Sequence, residues 1–200
     1  MRAGLRHNPF KLEAEGPLPD ALFAKLGRNP TTGPKPGSAR VIELVGPPGA
    51  GKSTQLLRWR LASPGPYRHV PDNWTRWYGL PVGAISYWDE AYRVPAPLLQ
   101  LALRRARRLN ATVVVAGHVS IADAVRKARL DLDQHEFPYL TAAAVQAFFA
   151  RRVQAAALAG CTPAFKLPDA DAKRLADEAG ASLRAVSDAL HIWIAAKIRE

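Results

Sequence analysis

Residues 40–54, RVIELVGPPGAGKST, constrain the fold of this 200-residue chain more than any other stretch. The β-branched run Val41-Ile42-Glu43-Leu44-Val45 favours a strand, and the residues after Lys52 favour a helix. Between them stands Gly46-Pro47-Pro48-Gly49-Ala50-Gly51-Lys52-Ser53, the G-x-x-x-x-G-K-S spacing of a phosphate loop in the strand–loop–helix context it requires. Gly46, Gly49 and Gly51 permit turns that a Cβ would forbid, so successive backbone N–H groups point into one hollow. The positive end of the following helix faces that hollow and favours polyphosphate. Lys52 is expected to reach the β- and γ-phosphates and the Ser53 hydroxyl to ligate Mg²⁺. Pro47, Pro48, Ala50 and Thr54 complete the expected cradle for ATP.

Composition limits the rest. An apolar fraction of 48% with 22% charged residues suits a globular chain with one sizeable core or a core plus a small appendage. The single cysteine, Cys161, leaves no internal disulfide or zinc cluster to expect, as suits a reducing compartment. No apolar run reaches the roughly 18 residues of a membrane span, and residues 1–10 lack a signal-peptide core. The expectation is a cytoplasmic protein with no membrane insertion. The net charge of +11 is unevenly spread: residues 91–130 hold eight Lys/Arg against one Asp, and residues 141–200 hold eight against six. That excess favours a polyanionic partner, nucleic acid ahead of an acidic protein.

Along the chain, residues 1–39 read as an arm and linker, with Phe10, Leu22, Phe23 and Leu26 able to dock onto a core. After the loop a helix is expected at 53–62, stopped by Ser63-Pro64-Gly65-Pro66, and then a short strand at 67–70. Trp74, Trp77 and Tyr78 are expected to pack a loop, with base stacking the alternative. A strand at 83–88 should deliver Asp89 and Glu90 to the same end of the sheet as the loop. Asp89 would then stand near the metal, and Glu90 would orient and polarise the attacking water.

The spacing predicts a helix over 97–110 whose apolar stripe is Leu98, Leu99, Ala102, Leu103, Ala106 and Leu109. Arg104, Arg105, Arg107 and Arg108 project from its other side; a solvated face is one reading, and their mutual repulsion makes a counter-charged partner the equal alternative. ATVVVA at 111–116 is an aliphatic run of the kind parallel sheets bury. It ends at Gly117-His118, where a polar side chain can sense the γ-phosphate or position the lytic water, with an ordinary loop histidine the alternative. A basic helix over 121–130 and a short strand over 134–137 follow. Three helices, 141–159, 169–179 and 182–198, then form a small C-terminal unit.

This order resembles the AAA+ ATPases. The resemblance implies an α/β P-loop NTPase core with a parallel five-stranded sheet flanked by helices, at 40–140, and a three-helix lid at 141–200. Gly180-Ala181-Ser182-Leu183-Arg184 is similar to the G-x-x-x-R opening of the third lid helix, which makes Arg184 the sensor-2 arginine that reaches the γ-phosphate. Gly4-Leu5-Arg6-His7-Asn8-Pro9-Phe10 resembles the G-L-R-x-N-P-F opening of general-secretion-pathway A-type ATPases. Val115-Ala116-Gly117-His118-Val119-Ser120 is similar to their V-x-G-Q-P-E segment, so His118 stands where they carry the sensor-1 glutamine. Phe137-Pro138-Tyr139-Leu140-Thr141 and Arg151-Arg152-Val153 fall where they carry P-L-S/T and H-R-L. Arg126 and Arg129 are the nearest arginine-finger candidates.

That branch includes DNA-transposition ATPases, and the implied function is an ATP-hydrolysing switch. It would form a ring or filament when ATP–Mg²⁺ replaces ADP and act on DNA, with the arginines of 104–108, Arg126 and Arg129 facing DNA or a neighbouring subunit. A regulatory ATPase of a secretion, pilus or envelope apparatus uses the same ATP site with a protein partner. A small-molecule kinase shares the GPPGAGKST motif but needs an acceptor pocket, and the Asp89-Glu90 pair fits water activation better.

Overall fold

The computed structural model describes residues 34–157 and 165–199. The Gly4–Phe10 motif, the docking candidates Phe10, Leu22, Phe23 and Leu26, and Cys161 lie outside the described residues. Two compact units divide the chain, one ending at Phe137 and the other beginning at Pro138, each with its own apolar core.

The first unit alternates strand and helix: β1 (Arg40–Val45), α1 (Lys52–Ala62), β2 (Tyr67–His69), β3 (Ile85–Asp89), α2 (Ala96–Arg108), β4 (Thr112–Gly117), α3 (Ala122–Lys127) and β5 (Asp131–Glu136). The five strands are parallel and ordered β2-β3-β4-β1-β5, so β4 separates the strand of the phosphate loop from the strand of Asp89. The β4 strand is central and buried over its whole length, which explains its aliphatic sequence. Its side chains alternate between faces. Val113 and Val115 join Val41 and Trp88 against α2 and α3, while Val114 and Ala116 join Ile42, Leu44 and Tyr87 against α1.

Strand β3 shows how aromatic residues fill positions where aliphatics are commoner. Trp88 and Tyr87 are fully buried on opposite faces. Each finds a partner for its polar tip: the Trp88 indole N–H donates to Pro81 O at 2.8 Å, and the Tyr87 hydroxyl donates to Ser63 O at 2.6 Å. The strand ends one residue later than expected, on Asp89, and a short 3₁₀ turn (Ala91–Arg93) intervenes before α2.

Other boundaries also differ from the sequence expectation. Helix α3 has six residues, because Ile121 lies before it and Arg129 turns left-handed at φ 55° just beyond it. Strand β5 begins at Asp131 rather than residue 134; it is an edge strand paired only with β1, so its polar sequence DLDQHE is tolerated facing water. Trp74, Trp77 and Tyr78 do not pack a loop interior: they are 70%, 60% and 53% exposed, around a 3₁₀ turn that the Asn73 side chain caps. Leu109, expected in the apolar stripe of α2, is exposed because the helix has ended at Arg108.

The second unit holds α4 (Ala142–Ala155), α5 (Asp169–Ala179) and α6 (Leu183–Arg199). Thr141 caps α4 by accepting from Ala144 N–H, and Gly180 ends α5 at φ 59° with its carbonyl taking the Leu140 N–H at 2.7 Å. Val145, Phe148, Phe149 and Val153 of α4 pack with Leu175, Val186, Leu190 and Ile194. No helix among the described residues is long and apolar enough to cross a membrane.

Candidate functional site

Parallel register decides what meets at the working edge of the sheet. Val45 pairs with Gly117, while Leu44 and Asp89 both pair with Ala116, so β1, β3 and β4 end side by side. Residues leaving these strands therefore converge: the loop 46–51, Glu90 and His118.

The loop itself is built as the glycine spacing requires. Gly49 and Gly51 lie at φ 77° and φ 95°, and Gly51 provides the left-handed cap from which α1 starts. A Cβ on Gly46 would sit 2.9 Å from the Phe137 Cβ, so glycine there is demanded by a close approach of the chain. Pro47 and Pro48 are exposed, Gly49 is half-buried and Ala50 is buried. The Lys52 ammonium, 4% exposed, donates to Gly46 O at 2.7 Å and Pro47 O at 2.8 Å. Burial pushes Lys52 below the ordinary lysine range, and the charges of Glu90 and Asp89 pull it back up.

Asp89 and Glu90 are both buried and face different neighbours. Asp89 Oδ1 accepts from the Ser53 hydroxyl at 3.0 Å; its Oδ2 lies 3.2 Å from His69 Nδ1 and 3.5 Å from the Tyr67 hydroxyl. Burial, then the Asp89 charge and hydrogen bond, push the Tyr67 phenol up to about 12. Glu90 Oε1 lies 3.2 Å from His118 Nε2, and Oε2 lies 3.5 Å from the Arg93 guanidinium. His118 Nδ1 stands 3.1 Å from Lys52 Nζ and 3.2 Å from Gly46 O. With hydrogen on Nε2 the imidazole accepts from Lys52 and donates to Glu90, while hydrogen on Nδ1 would instead donate to Gly46 O. A continuous polar chain runs from the loop lysine to the Glu90 carboxylate.

Tyr67, His69, Tyr92 and Arg93 were not singled out in the sequence. Tyr67 and His69 reach Asp89 only because β2 pairs with β3, bringing His69 level with Asp89. Tyr92 sets its ring edge-on to His118 at 6.3 Å, and burial followed by a hydrogen bond to Glu90 raises its phenol above the ordinary range. Thr54 is half-buried in the first turn of α1. In the second unit Arg184 is exposed in the first turn of α6. Arg104, Arg105, Arg107, Arg108, Arg126 and Arg129 are all exposed, and Arg126 pairs with Asp123.

Ser53 and Asp89 offer two hard oxygens 3.0 Å apart beside the loop. Such a set suits Mg²⁺, which one or two protein oxygens hold while phosphates and waters supply the rest. No cluster of three or more His, Cys, Asp or Glu that would make a self-sufficient metal site occurs among the described residues.

Sheet order, phosphate loop and terminal helical unit define a P-loop core of AAA+-like type with a small helical lid. Solved structures of similar fold include Thermotoga maritima RuvB, a Holliday junction branch migration motor, at TM-score 0.50 and 17% identity over 76% of this chain and 53% of that chain. A single-site variant of the same protein aligns at TM-score 0.52 and 17% identity over the same shares. The chain thus spans about half the length of these structures, and at this identity the likeness is one of fold. No family model matches the sequence, and no curated protein does.

Proposed function

We propose that this chain is a Mg²⁺-dependent ATPase whose nucleotide state governs its self-assembly and its action on DNA. The observation that carries the reading is the convergence of Lys52, Ser53, Asp89, Glu90 and His118 on one sheet edge beside a glycine-built loop. In this reading the loop 46–54, through the backbone N–H groups of its non-proline residues, and the Lys52 ammonium bind the triphosphate, and Ser53 and Asp89 hold Mg²⁺. The bound ion supplies neutralisation of charge on the phosphate oxygens. Glu90 takes the proton of the attacking water, and His118 orients Glu90 from the loop side. Arg184 reads the terminal phosphate from the lid.

The DNA part of the reading draws on the cationic excess of the chain, on the exposed Trp74, Trp77 and Tyr78 interleaved with Arg76, and on the RuvB-like fold. Ring or filament assembly and a cytoplasmic setting belong to the same proposal.

Size-exclusion chromatography with light scattering tests it, run with ADP, with a slowly hydrolysed ATP analogue, and with analogue plus duplex DNA. Assembly is expected with the analogue, strengthened by DNA and absent with ADP. Lys52→Ala should remain unassembled throughout. Identical profiles for all nucleotides and for Lys52→Ala would overturn the switch.

A further inference from the structure

The two arginine groups, 104–108 and 126–129, come from separate helices, yet the fold brings them to one place. The C-terminal turns of α2 and α3 pack side by side, with Arg107 Nη1 donating to Ala128 O at 3.5 Å, and enclose a cleft of about 290 Å³. Its walls are Arg104, Arg107, Arg108, Lys127, Arg129 and the small Ala128, with no acidic residue. None of the five cations pairs with a carboxylate among the described residues, whereas the neighbouring Arg126 is taken by Asp123.

Helix polarity explains part of this enrichment but not all. Each helix C-terminus carries at most about half a negative charge, so two ends offset about one of the five positive charges. About four remain uncompensated around one concavity. Holding them together costs repulsion that a bound anion would relieve. Four of the five are arginines, whose planar forks match phosphate oxygens in pairs. The cleft is also remote from the phosphate loop. It lies where β4 and β5 begin, while the loop lies where β1 ends; six-residue strands put roughly 17 Å between the two edges.

We propose that this cleft is a second phosphate-binding site, distinct from the loop of its own chain. The phosphates are those of a nucleic-acid backbone, so the inference rests on the DNA part of the reading above and gives that part a location on the chain.

The test pairs Arg104→Ala/Arg108→Ala with the control Lys173→Ala/Arg174→Ala, an equal charge change on exposed positions of α5. All these positions are exposed on helices and alanine suits a helix, so folding is preserved. Fluorescence anisotropy follows a labelled random-sequence duplex without nucleotide across a salt series. If DNA fills the cleft, the log–log salt slope of the cleft variant should shrink by about 1.8, two contacts at about 0.9 each, with the control unchanged. A slope unchanged in the cleft variant would overturn the proposal.

Equal changes in cleft variant and control would overturn it too. So would loss of poly-glutamate binding with DNA binding intact, which would mark a protein-docking cleft, or a fall in turnover alone, which would mark a contact between copies. Titration of a fluorescent ATP analogue onto the loop separates the two readings: its failure removes the ATPase, while the DNA slope still judges the cleft.

Discussion

Glu90 sits at φ 61°, ψ 34°, a left-handed conformation that costs a non-glycine residue on the order of 1–3 kcal/mol. It is held there by its N–H bond to Ala116 O at 2.7 Å and by His118 and Arg93 on its carboxylate. The turn brings the carboxylate to His118 and Arg93, whereas Asp89 keeps to Ser53, His69 and Tyr67, and under the proposed function the two acids have separate tasks. Glu90→Gln should therefore leave nucleotide affinity within about twofold while lowering turnover by about 10²–10⁴, read from a coupled phosphate-release assay. Tyr87 makes a second prediction. Burial pushes its phenol up to about 12, above the ordinary value of 10.0, so the unfolded chain loses this proton first. The stabilisation is complete below pH 10 and is lost as pH rises toward 12, by at most about 3 kcal/mol at 1.36 per unit. Urea denaturation of Tyr87→Phe should show a shallower alkaline decline than the parent. A parallel decline would remove Tyr87 from the account.

Among the elements, α3 depends on a side chain from the sheet. Glu43, in β1 and 1% exposed, accepts from the Ser120 hydroxyl, the Ile121 N–H and the Gln134 amide, and so ties the start of α3 to β1 and β5. Bonds to a buried carboxylate are worth about 1.5–3 kcal/mol, and Glu43→Ala strands a buried N–H. A loss of about 3 kcal/mol is expected by urea denaturation, with Glu43→Gln intermediate; unchanged stability in Glu43→Ala would contradict it. This bond set also shows where sequence reading stops. Val41–Val45 read correctly as a strand because apolar periodicity is local, yet Glu43 in its middle gave no sign of its three partners, which lie 77 to 91 residues away. Strand β5 begins three residues before the sequence expectation for a related reason: an edge strand needs no apolar face, so DLDQHE carries no period to detect.

At the scale of the whole chain, the phosphate loop was legible because its chemistry demands particular residue types in contiguous positions. The contacts of Tyr67 and His69 with Asp89 were not, since they follow from the order of strands in the sheet. The same holds for the basic cleft, which exists only once α2 and α3 pack together. Ligand linkage gives a prediction for the intact chain. At 100 times its dissociation constant, ATP–Mg²⁺ should stabilise by about 2.7 kcal/mol, raising Tm by roughly 5–10 °C. Lys52→Ala should show no such rise in a thermal melt, and an equal rise would move the nucleotide elsewhere.

The polar chain from Lys52 through His118 links the loop to the buried Glu90 carboxylate. An arriving anion that drew the ammonium outward would lengthen its contact with the imidazole, whose other nitrogen, together with Arg93, holds the carboxylate. Under the proposed function, occupancy of the hollow would be felt at this acid before any distant helix moves.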